Sequence, residues 1–103
     1  MDPSEINVRQ AAADTLKLLN DHWPRTLPVE WENLDAFPER YRDQIAHAKF
    51  MLSEIPKFLD SGLVHKAERW LCFAQGIMWS TKDTPISEMA VINRSARIIS
   101  GEI

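Results

Sequence analysis

Apolar residues recur at helical spacing in four stretches of the chain, and no short run alternates as a half-buried strand would. Ile6, Ala13, Leu16 and Leu19, broadened by Val8, Ala12 and Leu18, predict a first helix. Asp2 suits its N-cap, Pro3 its first position and Glu5 the capping box. It is expected to end before Pro24, because proline disfavours helix at the residue ahead of it. Tyr41, Ile45, Ala48, Leu52 and Ile55 form the stripe of a second helix starting near Pro38, with Arg40, Arg42, Asp43 and Lys49 largely off it. Pro56 is expected to end or kink this helix. Gly62 suits a C-cap or a tight connection.

The third helix, residues 63–80, contains RWLCFAQGIMW, in which eight of eleven residues are apolar. Leu63, Ala67, Trp70, Ala74 and Ile77 line one side, and few polar residues follow Arg69. A helix apolar nearly all round is either central or shared with a partner. Gly76 costs about 1 kcal/mol relative to alanine inside a helix. Close approach of another backbone is the expected compensation, with Trp79 beside that contact and Trp70 on the packed side. The fourth helix is expected to be capped at Thr84-Pro85, to carry Ile86, Met89, Ala96 and Ile99, and to stop at Gly101. The pattern therefore predicts an all-α single domain over residues 1–103, a bundle of about four helices with short connections favouring antiparallel neighbours.

Residues 24–38, PRTLPVEWENLDAFP, are the one long connection. Three prolines keep it out of regular structure, yet Leu27, Val29, Trp31, Leu34 and Phe37 are spread along it. It is expected to pack down on the helices, with one helical turn over residues 30–36. Loops of this length in compact domains are often functional.

Composition narrows the function. The 103-residue chain has a formal charge of −3. The acids concentrate early: Asp2, Glu5, Asp14, Asp21, Glu30, Glu32 and Asp35 against Arg9, Lys17 and Arg25 give residues 1–35 a net of −4. No basic stripe follows, which argues against nucleic acid as a partner. Arg94 and Arg97 are the one local exception. No apolar run reaches the length of a membrane span, and MDPSEINVRQ lacks the apolar region of a secretory signal. The lone Cys72 cannot form an internal disulfide, so a reducing, cytoplasmic setting is expected.

Candidate chemistry is sparse. His22, His47 and His65 are the only histidines, and the Glu-x-x-His spacing of helical di-iron sites does not occur. Asp43 with His47, and His65 with Glu68, share helix faces but are too few for a metal site. Cys72 lies among apolar neighbours, the setting of an inert structural thiol. There is no glycine-rich phosphate loop and no dinucleotide fingerprint. Neither an enzyme nor a cofactor is expected.

The tryptophans say more. Trp70 and Trp79 suit helix contacts. Trp23 and Trp31 fall at the start and middle of the Pro-rich region, and Trp31 stands between Glu30 and Glu32 with Asp35 close by. Aromatics are enriched among interface hot spots, so Trp23, Glu30, Trp31, Glu32 and Asp35 are candidate partner-binding residues. The alternative is that Trp31 staples the loop to the core.

KAERWLCFAQGIMW at residues 66–79, followed by ISEMAVINR at 86–94, resembles a pattern in small accessory proteins of temperate phages and prophages: Lys-Ala-x-Arg-Trp-Leu-x-Phe-x-Gln-Gly, a short linker, then an Ile-x-Glu helix. The resemblance covers about the C-terminal third, and Cys72 stands where the pattern has glycine. It implies a phage accessory role without catalytic residues. It also implies that Arg69 and Gln75 are signature positions, as buried polar links between helices. The expected function is a non-enzymatic protein that binds and modulates a host or phage protein. The alternatives are a homo-oligomer assembled through the third helix, possible as a homodimer, and a small nucleic-acid-binding regulator using Arg94 and Arg97.

Overall fold

The structure is a computed structural model. It describes residues 3–99 other than 34 and 37, and the side chains of residues 5–96 with the same two exceptions. Four helices follow in order, α1 (Pro3–His22), α2 (Tyr41–Asp60), α3 (Val64–Ser80) and α4 (Ile86–Ile99), with no strand among the described residues. The all-α bundle is the predicted one. No helix of the described chain is long and apolar enough to cross a membrane. The Asp2 cap and the Gly101 stop lie outside the described residues.

The centre of the bundle is α1. It touches all three other helices, while α2 and α3 share the most extensive single interface. Val8, Ala11, Ala12, Thr15 and Leu19 form its buried face, and Ala13 points outward. α3, expected to be the helix the others pack on, buries only one side: Ala67, Leu71, Ala74, Gln75 and Met78. Its stripe is rotated by about one residue from the sequence reading. A helix with apolar residues nearly all round has little asymmetry to fix its phase. Trp70 remains at the α2–α3 contact, set edge-on against Phe58 with ring centroids 4.7 Å apart, and Lys66 lies 4.6 Å over the same Phe58 ring.

α2 runs through Pro56 to Asp60. Proline there removes one helical hydrogen bond, but Leu52, Ile55 and Leu59 are buried around it and hold the helix. Gly62, at φ +78°, then closes a Schellman cap: its N–H donates to Leu59 O and that of Leu63 to Phe58 O. α3 ends the same way with Lys82 at φ +60° in the glycine place, the Lys82 and Asp83 N–H groups reaching Trp79 O and Met78 O. Thr84 does not cap α4. Its hydroxyl donates to Asp83 Oδ2, and Pro85 O accepts the first amides of the helix.

The short α3–α4 connection does not make close antiparallel neighbours. α4 lies on α1 and barely meets α3. The gap is bridged by a reciprocal amide pair: Gln75 Nε2 donates to Asn93 Oδ1 at 3.0 Å and Asn93 Nδ2 to Gln75 Oε1 at 3.3 Å. Gln75 also donates to the buried Thr15 hydroxyl. Gln75 is thus a buried link between helices. Arg69, expected to be another, is exposed.

Candidate functional site

Among the described residues, polar bonds hold the Pro-rich connection to α2. Leu27 is 74% and Val29 59% exposed, against the expectation that they pack down. Lys49, placed off the stripe by its charge, is buried to 1% exposure. It lies four residues after Ile45 and three before Leu52, on the core side of α2. Its ammonium donates to the carbonyls of Trp23 and, at 2.8 Å, Thr26, just past the C-terminus of α1. A cation suits that negative dipole end, while burial pushes its pKa down. Further along, the Val29 N–H reaches Ala46 O at 3.1 Å and the Trp31 N–H reaches His47 Nδ1 at 3.0 Å.

Trp31 itself is half-buried and shapes the next turn. Its indole N–H is shared between Asn33 O and Ala36 O, both at 2.8 Å. The Ala36 N–H donates to Asn33 O, so a simple turn stands where one helical turn was expected. Leu34 and Phe37 lie outside the described residues. Trp31 staples its own loop and, in the same geometry, forms a wall.

That wall bounds a cavity of about 220 Å³. Trp31, Ala36 and Pro38 line it from the loop, Gln44 and His47 from α2, Phe73 and Ile77 from α3. Gln44 donates to Pro38 O at 2.9 Å and fixes the loop exit. The His47 ring stacks on Phe50. Because Nδ1 accepts the Trp31 N–H, the imidazole is neutral with its proton on Nε2. Burial pushes its pKa down, and Glu30 acts in the opposite direction.

The segment that lines this cavity from the loop side, residues 30–43, is acidic. Glu30, Glu32, Asp35 and Glu39 are exposed. With Asp43, Arg40 and Arg42 they give residues 30–43 a net charge of −3, equal to the whole chain's. None of the five carboxylates is in an ion pair among the described residues. Of the predicted partner-binding residues Trp31 lines the cavity, and Glu30, Glu32 and Asp35 are its exposed neighbours along the same loop. Trp23 is elsewhere. Its indole N–H donates to Asp83 Oδ1 at 2.8 Å, pinning the end of α1 to the α3–α4 connection.

The outer face of α3 continues the apolar surface. Phe73 is 60% and Trp79 58% exposed, with Gly76 and Cys72 exposed between and beside them. Two expectations are corrected here. A Cβ at Gly76 would meet nothing within 4 Å, so no backbone approaches it, and Trp79 covers no helix contact. Cys72 is an exposed thiol rather than a buried one. Beyond Trp79, a wide shallow groove toward α4 is lined by Gly76, Ile86, Met89 and Ala90.

Three residues of the cavity, Gln44, Phe73 and Ile77, carry no signal as site residues in the sequence. His47 stood there only as a candidate ligand. Its spacing from Trp31 becomes meaningful once the loop is laid along α2.

One arrangement elsewhere has the geometry of an oriented base. His22 Nδ1 lies 3.0 Å from Asp83 Oδ2. The nearby hydroxyl, on Thr84, donates to the same carboxylate rather than to the imidazole, so no nucleophile–base hydrogen bond is formed. Burial pushes the Asp83 carboxyl up, but hydrogen bonds from His22, Thr84 and Trp23 bring it below its ordinary value. Among the described residues no three His, Cys, Asp or Glu side chains gather as a metal site. Comparison with protein-family models, with curated proteins and with solved structures finds no match to this chain.

Proposed function

We propose that this protein is a non-enzymatic accessory protein, of the phage type its C-terminal pattern resembles, that binds a host or phage protein and modulates it. The observation carrying this reading is an apolar cavity, walled by Trp31 and Phe73, on a loop segment whose exposed carboxylates make no ion pair among the described residues. Monomeric proteins seldom leave large aromatic groups exposed together without use, and charged rims around aromatic centres are the common anatomy of protein interfaces.

The test is capture by the tagged protein from a bacterial lysate. One stoichiometric protein should be retained by the wild type and lost with Phe73→Ala or with the pair Glu30→Gln and Glu32→Gln, while far-ultraviolet circular dichroism stays unchanged. Capture indifferent to all three changes would remove this face from consideration.

A second reading, a homo-oligomer through α3, is favoured by the open Gly76 between exposed Phe73 and Trp79. Sedimentation tests it directly: a monomer at high concentration ends it. The nucleic-acid alternative keeps one exposed arginine, Arg94. The Arg97 side chain lies outside the described residues.

A further inference from the structure

We propose that the cavity beside Trp31 receives a single large apolar side chain, of phenylalanine or leucine type, from a partner segment in which that residue is flanked by lysine or arginine. This rests on the protein-binding reading above and adds the chemistry of the partner.

The size argument comes first. An apolar cavity of about 150 Å³ holds benzene, and this one is about 220 Å³. A phenyl or isobutyl group fits. Its walls suit such a group: the indole of Trp31, the ring of Phe73 and the Ile77 side chain are apolar. Three of the polar atoms at the cavity are committed inside the protein. Trp31 Nε1 is used by the loop carbonyls, His47 Nδ1 by the Trp31 amide and Gln44 Nε2 by Pro38 O. The cavity is therefore shaped by hydrogen bonds that do not need the guest, which lowers the ordering cost of binding.

Charge decides what surrounds the guest. Residues 30–43 carry a net charge of −3, and Glu30, Glu32, Asp35 and Glu39 are exposed along this segment, which lines the cavity from the loop side. An extended partner advances about 3.5 Å per residue, so residues next to the anchor stay within the Debye length of about 8 Å at physiological salt. Cationic neighbours are attracted and acidic ones repelled.

Three acetylated and amidated peptides test the proposal against the full-length, nitrogen-15-labelled chain: Gly-Lys-Arg-Phe-Lys-Arg-Gly, the same peptide with Ala for Phe, and the same with every Lys and Arg replaced by Glu. The first should shift the Trp31 indole and Gln44 side-chain amide signals saturably. The alanine peptide should bind about tenfold more weakly, as expected for loss of a buried anchor. The acidic peptide should leave those signals in place. Raising salt from about 0.05 to about 0.5 M should weaken the first peptide several-fold. Phe73→Ala, at a position exposed enough to spare the fold, should bring the phenylalanine peptide down to the alanine one. Equal binding of the phenylalanine and alanine peptides overturns the proposal, as does equal binding of the basic and acidic peptides, or no shift at Trp31 and Gln44 with any of them. Capture of a partner that depends on Phe73, without peptide binding, sinks this inference and leaves the protein-binding reading standing. Peptide binding without any captured partner does the reverse.

Discussion

The main-chain N–H of Trp31 donates to Nδ1 of His47 across 3.0 Å, joining residues sixteen positions apart. This bond sets the path of the loop over α2 and so the opening of the cavity. It exists only while Nδ1 is unprotonated, because imidazolium has no acceptor.

Acidification should therefore loosen the loop. Burial lowers the His47 pKa in the folded chain, below the ordinary value of about 6.5. The unfolded chain then binds more protons in the window between the two values. The His47 contribution to stability is complete above about pH 6.5 and is lost as pH falls through the folded pKa. The protection of the Trp31 amide, its exchange rate taken relative to the intrinsic rate at each pH, should fall below about pH 6.5, and its indole fluorescence should shift to the red. His47→Gln offers a side-chain oxygen to the same N–H and does not titrate. It should keep the loop and abolish this pH response; a response surviving in that variant would assign it to other groups.

Asp83 gives a second, more acidic response. Its side chain is only 7% exposed and accepts from Trp23, His22 and Thr84. Its pKa lies below the ordinary carboxylate value, so its stabilisation is present above about pH 3.9 and is lost as pH falls through the folded pKa. Asp83→Ala leaves the Trp23 indole N–H without its partner, and should cost about 2 kcal/mol in denaturant unfolding at neutral pH. Asp83→Asn keeps an acceptor without the titration. It should flatten the loss of stability between about pH 4 and pH 2. An unchanged acid limb in Asp83→Asn would count against this account.

How much of this was legible in the sequence depended on whether one helix could decide the matter alone. Of the predicted α2 stripe, Ile45, Ala48, Leu52 and Ile55 are buried while Tyr41 at the helix start is 47% exposed, and Gly62 caps α2 because only a left-handed residue turns the chain there. Lys49 falls on that stripe by spacing but its charge predicts an exposed position; its partners are carbonyls beyond α1 rather than a charge with a sequence signature. α3 was placed but not phased: Met78 is buried and its neighbour Trp79 exposed, a choice made by α1 and α2. The acidic cluster around Trp31 was visible. The cavity was not, since it needs Phe73 and His47 brought beside the loop by tertiary packing.

Lys49→Met separates local from global stability. Burying an ammonium costs several kcal/mol, and its two charge-assisted bonds return about 1.5–3 kcal/mol each. The two nearly cancel, so the unfolding free energy should change by less than about 1 kcal/mol. The loop should respond instead. Without the ammonium, the carbonyls of Trp23 and Thr26 lose the tie that holds the chain to α2, and the Val29 and Trp31 amides should exchange about tenfold faster. A large global loss with unchanged loop exchange would make Lys49 a core element rather than a tether.

Gly76 is the position where the sequence reading and the structure differ most, and one substitution decides between them. Close approach of a second helix, whether within the chain or from another copy, would make Gly76→Ala destabilising, because the methyl group would meet backbone. In the structure a Cβ there meets nothing within 4 Å, and the residue sits inside α3. Alanine then gains about 1 kcal/mol of helix propensity. For a domain of this size the thermal midpoint should rise by about 4–8 °C. The midpoint should also be independent of protein concentration, since a gain that grew with concentration would indicate a self-associated form. A fall in the midpoint would mean that something closes on the outer face of α3 in solution, and Phe73 and Trp79 on either side would be the next residues to mutate.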